Sequence, residues 1–105
     1  PKLDFTRLLA IRELVDLPLV LHGASGVPDE CLKEAIRRGI CKVNIATELK
    51  IPMVEAIKSW FRENPTDNDP RNYMGAAKRE IKKVVRHKIR LCGCSGLADE
   101  VMAGE

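Results

Sequence analysis

The sequence predicts an α/β fold built on a parallel sheet, and three observations predict it. Two short apolar runs, Leu19-Val20-Leu21 and Ile40 to Ile45, read as strands buried on both faces, the parallel-sheet type. Helical patterns alternate with them at the spacing of βα units. The first run leads into a small-residue loop and the second into a helix start, as strand ends do in that architecture.

Each element follows from local chemistry. Asp4 is placed to cap a helix from Phe5, and Phe5, Leu8, Leu9, Ile11, Leu14 and Val15 form a broad apolar stripe at helical spacing. Pro18 punctuates its end, and the first strand follows. After Gly23-Ala24-Ser25-Gly26, Pro28 and Asp29 start a second helix that Gly39 stops, with Leu32, Ala35 and Ile36 on its apolar face. The second strand then leads to Thr47, expected to cap a third helix from Glu48 to about Arg62. Leu49, Met53, Ile57, Trp60 and Phe61 line one side of it, and Pro52 falls near its start, where a missing donor costs least. Turn signals make Asn64 to Asn72 an exposed loop. A fourth helix is expected from about Met74 to Leu91, with Ala77, Ile81, Val84, Val85 and Ile89 facing one way and a basic remainder. The tail after Gly93 has no clear periodicity.

Composition narrows the classes. The 105 residues carry 18 basic and 15 acidic side chains, a net charge of +3, with 45% hydrophobic and 31% charged residues. That balance excludes extended disorder, collagen-like sequence and a coiled coil, and it does not by itself call for nucleic acid or a membrane. No apolar stretch approaches the ~20 residues of a membrane span, and no signal-peptide pattern opens the chain. The first residue is Pro, so the chain is expected to start downstream of a processed or missing initiator. Cys31, Cys41, Cys92 and Cys94 form no C-x-x-C pair and read as reduced thiols of a cytoplasmic protein. Two strands cannot make a sheet covered on both faces. A (β/α)8 TIM barrel takes about 250 residues, so the arithmetic favours a piece of one. Residues 1–105 are thus expected to be a single incomplete domain.

Two consecutive strand-end segments carry the chemistry. In Leu21-His22-Gly23-Ala24-Ser25-Gly26, the imidazole can ligate a metal, the glycines let backbone N–H groups approach a ligand, and Ser25 adds a hydroxyl. A histidine merely packed beside a flexible turn is the alternative. In Lys42 to Glu48, Thr47 is an N-cap or a phosphate contact at a helix N-terminus that favours anions, and Asn44 needs a partner if buried. Consecutive βα loops of this kind form phosphate sites in barrels. The basic helix, with Lys78, Arg79, Lys82, Lys83, Arg86, Lys88 and Arg90, is either a nucleic-acid face or the solvated outer face of a barrel helix. It has no interleaved aromatics for stacking, which favours the latter. His87 reads as an exposed histidine and Arg71 as a loop arginine that a second phosphate could engage. Cys92-Gly93-Cys94 cannot fill a tetrahedral metal site alone.

Three segments carry a family resemblance: Pro18 to Gly26 (PLVLHGASG), Gly39 to Leu49 (GICKVNIATEL) and Asp69 to Leu91, which opens Asp-Pro-Arg-x-Tyr. In this order the chain, up to about Gly96, resembles the class II, zinc-dependent aldolases, most closely the tagatose-bisphosphate branch and next the fructose-bisphosphate branch. The resemblance implies the C-terminal part of a (β/α)8 TIM barrel, holding its last two strands and closing helices. It puts a zinc ligand at His22 and dihydroxyacetone-phosphate contacts at Gly23, Ala24, Ser25, Asn44, Ile45, Ala46 and Thr47. It implies reversible cleavage of tagatose or fructose 1,6-bisphosphate to dihydroxyacetone phosphate and glyceraldehyde 3-phosphate, with a small-molecule sugar phosphate as partner. A homo-oligomer of the full-length enzyme and a monovalent cation beside the zinc also follow from it.

The chain departs from the family pattern in one respect. The family's other two zinc histidines and its catalytic aspartate have no counterpart here, where His22 and His87 are the only histidines. One protein ligand cannot hold a catalytic zinc. The isolated chain is therefore expected to be inactive, and unstable or self-associating through its unpaired strand edge. A non-catalytic relic that binds sugar phosphate or a partner is the alternative, and a basic-helix nucleic-acid module a more distant one.

Overall fold

A computed structural model describes residues 2–104. Its elements are α1 (Phe5–Leu14), β1 (Leu19–Leu21), α2 (Asp29–Arg37), β2 (Ile40–Val43), α3 (Thr47–Glu63), α4 (Pro70–Leu91) and α5 (Leu97–Ala103). They group into two compact units, one of residues up to Ile45 with those from Ile89 onward, the other of Ala46–Lys88. Among the described residues, no helix is long and apolar enough to cross a membrane.

The first unit contains a parallel β1–β2 pair with α2 as its connection. Leu19 faces Ile40, and after an irregularity Val20 faces Lys42 and Leu21 faces Val43. Asp4 begins α1 as expected, its carboxylate accepting from the Arg7 amide at 2.9 Å. Leu32 is fully buried and clusters with Val27 and Leu91, and Leu21, Ile36 and Val43 pack around them. This is a small core. The expectation that β1 is buried on both faces is not met, since Val20 is 41% exposed. A strand with one neighbour and core on one face only cannot cover its other face. For the same reason the α1 stripe has no buried residue; Val15 falls outside the helix, and Leu14 is 87% exposed.

The end of α2 is held from α1. Arg12 donates from Nη1 to the Arg38 carbonyl at 3.0 Å, and the Arg38 guanidinium stacks 4.9 Å above the Phe5 ring. Glu34 accepts from Arg37 and Arg38, whose hydrogen bonds bring its carboxyl down to about 2. Gly39 stops the helix at φ +119°, in a region that L side chains rarely adopt, and a Cβ there would meet Arg12 Nε at 2.5 Å.

The second unit holds α3 and all but the last turn of α4. Several boundaries differ from the sequence reading. Ala46 occupies the N-cap and Thr47 is the first helical residue, so Thr47 does not cap; Pro52 lies inside α3. Helix α4 begins at Pro70 instead of Met74, because Pro is preorganised for a first turn and Asp69 accepts from the Arg71 amide at 3.0 Å. Arg71 therefore belongs to a helix, its guanidinium paired to Asp69 at 2.7 Å. The preceding loop is ordered around Asp67, which accepts from Trp60 Nε1 at 2.7 Å, Asn72 Nδ2 at 3.0 Å and the Asp69 amide at 2.9 Å. Those bonds, the backbone one foremost, hold its carboxyl below the usual range. On α4, Val85 and Ile89 are exposed, whereas Lys88 is buried. The tail after Gly93 forms α5, where no periodicity suggested an element.

Gly39→Ala is expected to destabilise the chain by about 1–2 kcal/mol through its forced φ. Adding Arg12→Ala should restore little of that loss in denaturant melts. Full recovery in the double variant would assign the cost to the Arg12 contact instead.

Candidate functional site

The two strands run parallel, so the segments leaving their C-terminal ends emerge on the same edge. Backbone hydrogen bonds tie those segments together. The Asn44 amide, just beyond β2, donates to the Leu21 carbonyl at 2.9 Å, and the Ala24 amide donates to the Asn44 carbonyl at 3.3 Å. The second strand ends at Val43, before the expected Ile45, and the Asn44 backbone is held to the first loop by both bonds.

His22 follows β1 directly and is exposed. Its Nδ1 lies 2.9 Å from Nδ2 of the half-buried Asn44, the partner that a polar residue in an apolar run requires. An amide nitrogen only donates, so in this orientation Nδ1 accepts and the ring proton sits on Nε2. Rotating the amide by half a turn would present Oδ1 to a protonated Nδ1 and leave the Nε2 lone pair open. Either arrangement selects a single tautomer, and the second suits a metal-ligating imidazole. Gly23 takes φ +63° with nothing within 4 Å of a would-be Cβ, so open space borders its backbone. The Val27 amide donates to the Ala24 carbonyl at 3.1 Å and closes the turn; Ala24 is buried and Ser25 half-buried. Ile45, also half-buried, ends this part of the first unit.

Ala46 and Thr47, next along the chain, belong to the second unit. The Ala46 carbonyl accepts from Leu49 at 3.0 Å and Lys50 at 3.3 Å, beginning α3. The N-cap residue Ala46 makes no side-chain cap bond, and a helix N-terminus favours an anion. The structure therefore brings His22, Ala24 and Asn44 together in the first unit, and Ala46 and Thr47 begin α3 in the second.

A catalytic metal needs several donors here. His22 fits as one imidazole ligand, yet among the described residues no three His, Cys, Asp or Glu side chains group to hold an ion. These residues do not complete a catalytic zinc site by themselves.

One pair escaped the sequence reading. Lys88 Nζ lies 2.8 Å from Glu48 Oε2 in the second unit. The signal was present: Ala77, Ile81, Val84, Lys88 and Leu91 recur at helical spacing, which puts Lys88 on the buried stripe.

Residues 1–97 match the family described as fructose-bisphosphate aldolase class-II. Among solved structures, the chain resembles the YdjI aldolase from Escherichia coli K12, with 38% identity and a TM-score of 0.75, over 93% of this chain and 36% of that one. It also shares its fold with fructose-bisphosphate aldolase from Campylobacter jejuni, at 17% identity and TM-score 0.71, over 89% of this chain and 35% of that one. The chain thus spans little more than a third of either enzyme.

Asn44→Ala is expected to release the His22 ring. At a pH where the imidazole is neutral, its ring 15N resonances should report one dominant tautomer in the native chain and move toward the free-imidazole mixture in the variant. Identical resonances in both would show that Asn44 does not select the tautomer.

Proposed function

The chain belongs to the class II fructose-bisphosphate aldolase family, and from that premise we propose that it is the C-terminal part of a (β/α)8 barrel lyase. Its reaction is the reversible aldol cleavage of tagatose or fructose 1,6-bisphosphate to dihydroxyacetone phosphate and glyceraldehyde 3-phosphate. The observation that carries this reading is the meeting of the His22–Ser25 and Asn44 segments at the strand ends. That edge is where parallel α/β architectures bind substrate.

In this reading each residue has a defined task. The backbone amides of Gly23, Ala24 and Ser25, with the Ser25 hydroxyl, receive phosphoryl oxygens of dihydroxyacetone phosphate. Asn44 and Ile45 flank its carbon chain, and Ala46 and Thr47 offer first-turn amides and a hydroxyl for phosphate. Held from both segments, the triose is oriented for reaction, and orientation is a large share of the catalytic effect. His22 supplies one zinc ligand, aligned by Asn44, and further ligands come from outside these 105 residues. Bound zinc would act as a Lewis acid toward the ketone oxygen. The working enzyme is a cytoplasmic homo-oligomer, with neither nucleic acid nor membrane as partner. Arg71, an exposed guanidinium paired to Asp69, is a candidate for the second phosphate.

The test uses the 105-residue chain. Dihydroxyacetone phosphate is expected to shift the amide resonances of Gly23, Ala24, Ser25, Ala46 and Thr47, while an aldol-cleavage assay with added zinc shows no turnover. Shifts confined elsewhere, or none, would remove the phosphate assignment. Zinc-dependent turnover by this chain would contradict its being one part of the active site.

A further inference from the structure

Lys88 has a burial at odds with its chemistry: it is 9% exposed and, among the described residues, is the charged side chain that counts as buried. A buried ammonium persists where a carboxylate compensates it. Glu48 does so at 2.8 Å, with a side chain that is itself only 27% exposed.

The position of Glu48 gives this pair a consequence. It is the second residue of α3, the acid in the first turn of that helix, and it directly follows Ala46 and Thr47. A carboxylate there satisfies the positive end of the helix and repels any second anion brought to it. Left uncompensated, Glu48 would oppose a phosphate monoester at the Ala46–Thr47 amides. Helix α4 counters it through Lys88, which makes the direct pair; Lys83, on the same helix, is paired to Glu80 at 2.7 Å.

We propose that Lys88 is a positioning residue for phosphate binding. Paired to Glu48, it cancels the acid in the first turn of α3 and fastens that turn to α4, leaving the Ala46–Thr47 segment receptive to a phosphate monoester dianion. The inference rests on the phosphate reading given above and adds a residue that does not touch the ligand.

The test compares the native chain with Lys88→Met, Glu48→Gln and the double variant, using dihydroxyacetone phosphate as probe and two readouts. The first is its dissociation constant from the Ala46 and Thr47 amide shifts. The second is hydrogen exchange at the Leu49 and Lys50 amides, which close the first turn on the Ala46 carbonyl. Lys88→Met is expected to weaken binding about tenfold or more and to speed exchange at both amides. Glu48→Gln should bind at least as tightly as the native chain, and the double variant should regain most of the affinity lost by Lys88→Met. A purely structural pair gives another pattern, in which both single variants weaken binding and the double recovers nothing; that pattern overturns the proposal. Glu48→Gln and the double variant decide the matter even if Lys88→Met fails to fold. A native chain whose amides ignore the probe overturns the phosphate reading and the electrostatic half of this inference together. Exchange at Leu49 and Lys50 then judges the anchoring half, which unchanged rates in Lys88→Met would overturn.

Discussion

The first unit depends on one constraint, the parallel pairing of β1 with β2. It spans only seven strand residues, yet it decides which side chains can meet. Because the strands run the same way, both exits share an edge. Because the ladder continues one step past β2, through the Asn44 amide on the Leu21 carbonyl, Asn44 is held beside His22. The register aligns Leu21 with Val43, so the residues that follow each are neighbours in turn. A shift by one residue would turn Asn44 to the opposite face and separate it from the ring.

The supports of that pair are modest. Leu32 fills the small core beneath it, and Arg12 and Gly39 shape the return from α2 into β2. The apolar residues Leu14, Leu17 and Val20 stay exposed, more than a small folded unit ordinarily leaves uncovered. In the second unit, order comes from polar contacts: Asp67 gathers the turn before α4, and Lys88 meets Glu48 at the start of α3.

The fold class was legible because β-type apolar runs and helical periodicity do not resemble each other. The short runs at Leu19 and Ile40 and the Gly39 stop led directly to the observed elements. The candidate site was legible as two strand-end segments, since Gly23 and Asn44 stand out against their apolar surroundings. What was not legible depended on contacts. Thr47 resembles a cap, but the chain turns one residue earlier. Pro70 reads as loop until Asp69 supplies the bond that starts α4. Lys88 looks like one more base on a solvated face until the buried stripe is followed to its end, and its partner Glu48 is forty residues away. Val20 reads as buried because composition reports what a strand is suited for and says nothing of what covers it.

The continued β1–β2 ladder holds the two segments together, and amide hydrogen exchange reads that hold residue by residue. The Asn44 amide, bonded to the Leu21 carbonyl, is expected to exchange as slowly as the amides within β2. The Ala24 amide, bonded at 3.3 Å to the Asn44 carbonyl, should be protected with it. Asn44 exchanging at the rate of an unstructured amide, while β2 remains protected, would contradict the account. The segments would then be neighbours in sequence order without being held as a site.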